Sequence, residues 1–326
     1  FYSDAVSNIL QSTIDTPEAL AVICDGDELT WAQLESNARK VARALSAWGL
    51  LTGDRWAFLS HNRIEWTELF LGNTLAGTRY VPLNWHLTAP ELEYLLVNSG
   101  ATALVVDPEH AAIGTEAATR AGIDLDRIIV LGAQYEAWRD SQPDTGHPNT
   151  IAGSALTYTG GTTGASKGVT RPDSGAPISN WSRGVSTWGS YVGMPESGVA
   201  LITTPLYHAF GAGVLGAALA RRHTIVLRQR FDVDDFLDSV QKYHVTSAPL
   251  VPTLIIRLAK LDDHHFTSRD LSSLQWIAHT AAPCPGWAKQ RLIDMLGPIV
   301  VEFYGSSEGT GPVVCTSDEW MARPGT

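Results

Sequence analysis

Short apolar runs alternate with helix-patterned runs along most of this chain, and that alternation limits its fold more than any other feature. In the first part the strand-like runs are RWAFLS (55–60), RYVPL (79–83), ATALVVD (101–107) and RIIVLG (127–132). In the second part they are ALITTPL (200–206), HTIVLR (223–228), HVTSAPLV (244–251), LQWIAHTAA (274–282) and PIVVEFYG (298–305). Apolar strands this short, separated by helices, predict mostly parallel sheets covered on both faces. Helix boundaries are signalled as well. Thr30 with Gln33, and Thr88 with Glu91, form capping boxes. Leu34, Ala38, Val41, Leu45 and Trp48 fall on one face of the first helix, which Gly49 ends. Further helices are expected at 65–77, 212–220, 232–243, 252–261 and 285–296. Between Gln134 and Ile151 the chain turns polar (SQPDTGHPNT), which predicts a boundary between lobes at about residue 150. No repeat of fixed period is present.

The 326 residues suffice for one large domain or two ordinary ones, and 44% hydrophobic against 17% charged residues excludes a disordered chain. A net charge of −11 gives no electrostatic reason to hold nucleic acid. Cys24, Cys284 and Cys315 lack metal-ligand spacing, and their odd number argues for a reducing, cytoplasmic setting. No apolar stretch reaches the ~18 residues of a membrane span. The first residues lack a signal peptide's pattern and the ARPGT end is loop-like, so both ends read as cuts. The eleven tryptophans are expected mainly in the core.

The run YTGGTTGASKGV (158–169) carries the chemistry. Threonine and serine hydroxyls beside glycine amides can form an anion-binding concavity, and Lys167 adds a point charge suited to phosphate. It is not a Walker A loop, because Lys167 follows Ser166 and precedes Gly168. Pro172, Gly175 and Pro177 prevent a helix from starting at once, which also excludes the dinucleotide fingerprint. The loop is therefore expected between two strands, ALTYT and GVTR.

This run resembles the phosphate-loop signature of the adenylate-forming superfamily, Tyr-Thr-Ser-Gly-Thr-Thr-Gly-x-x-Lys-Gly-Val, departing in the pair Gly160-Gly161. PLYHAFG (205–211), AHTAAPCP (278–285) and EFYGSSEG (302–309) resemble three further motifs of that superfamily, in its order. The resemblance spans essentially the whole chain. It implies an α/β fold of two similar lobes, about 1–150 and 151–326, each a mostly parallel sheet flanked by helices (αβαβα layering). The chain would be an incomplete large N-terminal domain, lacking the β-barrel subdomain and the C-terminal domain with its own catalytic lysine. On that reading it binds nucleotide weakly but does not complete efficient adenylation or thioester formation.

The same resemblance implies the chemistry. A hydrophobic carboxylic acid attacks the α-phosphate of ATP, giving an acyl-adenylate and pyrophosphate, and the thiol of coenzyme A then displaces AMP. Thr159, Gly160, Gly161, Thr162, Thr163, Gly164 and Lys167 would hold the β- and γ-phosphates, with Ser307 near the α-phosphate. Glu308 and Thr159 would hold Mg2+, whose preference is for hard oxygen ligands. Tyr304 would stack on adenine, with Ala281, Ala282, Pro283, Glu302 and Phe303 lining the rest. His208, Phe210, Gly211, Val251, Thr280, Gly305 and Ser306 would contact the acyl substrate. His208 would orient the carboxylate, which has no proton to lose at pH 7. Small residues at 208–220 fit either a roomy acyl pocket or tight helix packing. The other nine histidines show no metal-ligand spacing, and His264-His265 reads as a polar loop. An acyl-AMP ligase serving a carrier protein, and a non-catalytic nucleotide-binding module, are the alternatives; a homodimer is compatible with either.

Overall fold

The structure, a computed structural model, describes residues 16–145, 149–159, 166–170, 176–306 and 311–324. The chain divides into two compact units. Unit 1 takes residues 1–20, 28–182 and 206–209, and unit 2 takes 21–27, 183–205 and 210–326. The polar run near residue 150 is thus not where the units divide.

The first strands are β1 (Leu20–Cys24) and β2 (Asp27–Thr30). Unit 1 then contains β3 (Arg55–Leu59), β4 (Arg79–Leu83), β5 (Leu104–Val106), β6 (Ile128–Val130), β7 (Ser154–Thr159) and β8 (Lys167–Thr170). Its helices are α1 (Trp31–Ala47), α2 (Glu65–Ala76), α3 (Ala89–Ser99), α4 (Ala111–Arg120) and α5 (Ala133–Asp140). Among the described residues the sheet runs β6-β5-β3-β4-β7-β8, parallel except for the final β7/β8 pair. Because β7 pairs on β4 and carries β8 with it, residues 154–170 belong to unit 1, and this moves the division past residue 150.

Both predicted capping boxes are present. Thr30 N–H donates to Gln33 Oε1 at 2.8 Å and Gln33 N–H to Thr30 Oγ1 at 3.2 Å, while Thr88 N–H donates to Glu91 Oε2 at 2.8 Å. Helix α1 buries Trp31, Leu34, Ala38, Val41 and Leu45, one stripe, as the spacing predicts. Helix α2 differs, since every residue from Trp66 to Ala76 is buried. A helix buried all round must partner any charge it carries. Glu68 accepts from Asn37 Nδ2 (2.7 Å), Tyr135 Oη (2.7 Å) and Arg139 Nη1 (3.0 Å). Tyr135 and Arg139 lie on α5, so this contact builds a helix into what the sequence presented as a polar linker.

Unit 2 contains β9 (Val199–Ile202), β10 (Thr224–Leu227), β11 (Ser247–Leu250), β12 (Trp276–His279), β13 (Val300–Tyr304) and β14 (Val313–Cys315). The chain enters it within α6 (Ile178–Tyr191). Its further helices are α7 (Ala209–Ala220), α8 (Val233–Tyr243), α9 (Pro252–Ala259), α10 (Asp263–Thr267), α11 (Gly286–Leu296) and α12 (Ser317–Ala322). Among the described residues the sheet runs β14-β13-β12-β11-β9-β10-β1-β2, with β14 antiparallel to β13 and β1 parallel to β10. Leu201, Val226, Leu250, Ile277 and Val300 from this sheet pack with Phe236, Val240, Leu258 and Leu292 from α8, α9 and α11.

The close approach of α1 and α2 depends on Gly72. A Cβ there would lie 2.3 Å from Val41 Cγ1 and 3.1 Å from the Ala38 carbonyl oxygen. Gly72→Ala is expected to destabilise the protein by roughly 1–3 kcal/mol, overpacking outweighing the ~1 kcal/mol gain in helix propensity. Urea denaturation checks this, and the cost should shrink when Val41→Ala is also present.

Candidate active site

Parallel strands deliver the residues that follow them to one edge of a sheet, where ligands of open α/β sheets bind. In unit 2, β11, β12 and β13 are adjacent and parallel, with Leu250 opposite His279 and His279 opposite Glu302. Val251, Thr280 and the run 305–306 therefore leave the same edge side by side. Ala281, Ala282, Pro283, Tyr304, Gly305 and Ser306 are exposed there, and Thr280 is half-buried. Tyr304 is 80% exposed, leaving its ring open to stack on a planar ligand. Ala281 has φ +78°, a left-handed conformation unusual for a residue with a Cβ. In the motif that AHTAAPCP resembles, the corresponding residue is glycine.

The remaining predicted residues of unit 2 divide in their roles. Phe303 is buried, its ring 5.3 Å from Phe210 and 6.0 Å edge-on from Trp188, so it packs on aromatic neighbours. Gly211 at the start of α7 admits no side chain, because a Cβ would lie 2.7 Å from the Pro205 carbonyl oxygen. Val214 to Leu219 of α7 are buried, so these small residues serve helix packing. Glu302 does not present its carboxylate freely. It accepts from the fully buried Lys289 Nζ at 2.9 Å and lies 3.7 Å from His279 Nε2. The sequence gives no sign that Lys289 or His279 partners Glu302, since the first lies in a helix and the second in the neighbouring strand. Burial, more than the opposing pull of Glu302, lowers the His279 pKa to about 4. Cys284 beside this group is pushed up to about 11 by burial, and a thiol so protonated is a poor nucleophile.

In unit 1 the phosphate-loop motif stands where the sequence placed it, between two strands. Strands β7 and β8 form an antiparallel pair in which Thr159 is directly opposite Lys167. The loop thus leaves and re-enters the sheet at these two residues. Gly160, Gly161, Thr162, Thr163 and Gly164 lie outside the described residues, as do Ser307 and Glu308. Two tyrosines tie the hairpin to α3. Tyr158 Oη donates to Asn98 Oδ1 at 2.6 Å, and Tyr94 Oη donates to the Ser166 carbonyl at 3.3 Å. Burial, then the neighbouring Tyr94, pushes Tyr158 up to about 12, which keeps it a hydroxyl donor. Lys167 is exposed and Thr159 half-buried.

The segment carrying His208 is also held within unit 1. Leu206 N–H donates to Asn62 Oδ1 at 2.9 Å, and the Tyr207 ring stands edge-on to Trp85 at 6.3 Å. The His208 ring is 4.3 Å from that of Tyr207. His208 is exposed, yet desolvation by surrounding protein holds its pKa below the ordinary imidazole value. It is therefore neutral near pH 7, able to donate one hydrogen bond and accept another.

Residues 11–326 match the family of AMP-binding enzymes. The chain is 32% identical over 308 residues to a feruloyl-CoA synthase of Amycolatopsis sp, covering 92% of this chain and 58% of that protein. It is 28% identical to the fatty acid–[acyl-carrier-protein] ligase ScoC of Streptomyces coeruleorubidus, covering 92% and 57% respectively. Among solved structures, o-succinylbenzoate CoA synthetase from Bacillus subtilis with its acyl-adenylate intermediate superposes with a TM-score of 0.81 at 25% identity, covering 98% of this chain and 62% of that one. ATP-bound MatB from Rhodopseudomonas palustris gives a TM-score of 0.80 at 25% identity, covering 96% and 62%. The chain thus spans less than two thirds of the length of these two curated relatives.

Two outcomes follow. Ala281→Gly should raise stability by about 0.5–1 kcal/mol, relief of the left-handed strain exceeding the added chain entropy; thermal melting measures it. His279, and likewise His223 of unit 2, whose pKa burial lowers to about 4, titrate near 6.5 when unfolded. The unfolded chain takes up these protons first, so the stability they contribute is complete above about pH 6.5 and lost as pH falls toward 4. Between pH 7.5 and 5 each should cost on the order of 1–2 kcal/mol. Denaturant melts at the two pH values should show a smaller loss in His223→Gln and His279→Gln.

Proposed function

Because this chain belongs to the AMP-binding enzyme family, we propose that it is the large N-terminal domain of an enzyme that activates a hydrophobic carboxylic acid as its acyl-adenylate and passes the acyl group to coenzyme A. The observation that carries this reading is the pairing of Thr159 with Lys167 across the glycine-rich loop. A phosphate loop mounted on an antiparallel strand pair, with no helix opening behind it, differs from the strand–loop–helix sites of P-loop and dinucleotide folds. The relatives with feruloyl-CoA synthase, 2-succinylbenzoate–CoA ligase and carrier-protein ligase activity support acyl activation as the shared chemistry.

Activation solves one problem. A carboxylate resists attack by a thiol, and adenylation gives it a leaving group. The protein's task is to align the acid with the α-phosphate and to offset charge on phosphate oxygens. Lys167 brings a mobile ammonium to the return limb of the loop, and Thr159 brings a hydroxyl to the outgoing limb. By the motifs they belong to, Gly160 to Gly164 would supply backbone amides and Ser307 a further hydroxyl. Thr159 and Glu308 would each offer oxygen, the donor type that suits Mg2+; the ion, when bound, would offset phosphate charge. Neutral His208 orients the substrate carboxylate by a hydrogen bond and takes no proton from it. Tyr304, with Ala281, Ala282 and Pro283 beside it, forms the exposed platform for adenine. Phe210, Phe303 and Trp188 give unit 2 an aromatic wall, which supports a hydrophobic acyl group.

The similarity to ScoC favours a second acceptor, the thiol of a carrier protein. Adenylation is common to both readings. In ATP–pyrophosphate exchange by the parent protein, across fatty, aryl, steroid and amino acids, exchange is expected with a hydrophobic acid. Lys167→Ala should lower it about 100-fold. His208→Asn should retain more activity than His208→Ala, with a flat profile from pH 7 to 8. Absence of exchange with every acid would sink the acid-activating reading.

A further inference from the structure

We propose that unit 1 carries a site for a first-row divalent cation of the Zn2+ type, formed by His61, Glu109 and His110. Each of the three offers one ligand atom, and these atoms all lie within 4.8 Å of one another. His61 is far in sequence from the adjacent Glu109 and His110 but meets them through the sheet. His61 lies two residues beyond β3, and Glu109 and His110 follow β5; β3 and β5 are parallel, with Leu59 opposite Val106. Both loops therefore emerge side by side at the carboxyl edge.

Asp107 organises the cluster. Its carboxylate accepts the backbone N–H of His61 and that of His110, each at 2.9 Å. His110 Nδ1 lies 2.7 Å from Asp107 Oδ1. A carboxylate on one imidazole nitrogen fixes the tautomer and leaves Nε2 to ligate, the arrangement found behind metal-bound histidines. His61 Nδ1 lies 3.3 Å from Glu109 Oε2, so the second imidazole and the carboxylate already converge. His61 and Asp107 are buried, whereas Glu109 is 59% exposed, which gives an ion a path from solvent. Two imidazoles and one carboxylate make the donor set of a Zn2+ centre with an open position. Imidazole nitrogens are poor ligands for Mg2+ or Ca2+, so this site differs in chemistry from an all-oxygen Mg2+ site.

The cluster adjoins the segment that carries His208. The Trp85 ring is 4.3 Å from His61 and 6.3 Å from Tyr207, and Asn62, next to His61, accepts the Leu206 N–H. An ion here would brace the His61-Asn62 turn on which residues 206–208 rest.

The test is independent of the acid-activating reading, because it measures the ion alone. The tag-free, chelator-stripped chain is titrated with Co2+ by visible absorption and with Zn2+ by calorimetry. About one equivalent should bind, with the d–d bands of a four- or five-coordinate Co2+ site. Glu109→Gln removes an exposed ligand and should weaken binding at least ~10-fold without changing the circular dichroism spectrum; Asp107→Asn should weaken it about 10- to 100-fold. A His264→Ala/His265→Ala variant should bind as the parent does. Absence of saturable binding at micromolar metal, or undiminished binding by Glu109→Gln, would overturn the proposal.

Discussion

Parallel strand pairing governs the rest of this structure. It forces each strand to be followed by a crossover, so the loops leaving the strands gather at one edge, and it demands that both faces be covered. The first demand accounts for where chemistry collects. Val251, Thr280 and Gly305 are far apart in the chain yet leave neighbouring strands of unit 2. His61 and His110 do the same in unit 1. The second demand accounts for α2, whose burial on every side then requires Asn37, Tyr135 and Arg139 to satisfy one carboxylate.

The local part of this design was legible in the sequence. RYVPL is β4 residue for residue, and both capping boxes form as written. Pro172 and Pro177 correctly signalled that no helix opens directly behind Lys167. The unreadable features all depend on contacts between residues distant in sequence. The division near residue 150 moved because β7 joins β4, and α5 formed in a polar run because Arg139 reaches Glu68. Strand β1 pairs with β10, some 200 residues on. The ion pair of Glu302 with the buried Lys289 joins a strand to a helix and has no local sequence signal. The His61 cluster has no sequence spacing because its ligands come from two crossovers.

For a chain of net charge −11, long-range attraction would not draw in a polyphosphate. The proposed binding would instead be short-ranged, through amides, hydroxyls and the Lys167 ammonium, where geometry outweighs net charge. The neutral histidines fit the same economy. His208, His223 and His279 are all held below the ordinary imidazole value by desolvation, so none adds a fixed positive charge near neutral pH.

The two limbs of the glycine-rich loop share one support. Strand β7 meets β4 at Ser154 and Ala155, the end of the strand away from the loop, and meets β8 from Leu156 to Thr159. At Thr159 the outgoing limb therefore rests on the same four-residue ladder as Lys167. The hairpin projects from the sheet as a cantilever, and the hydrogen bonds from Tyr158 to Asn98 and from Tyr94 to Ser166 are its stays. A displacement of this hairpin would carry the threonine and the lysine together and preserve their spacing.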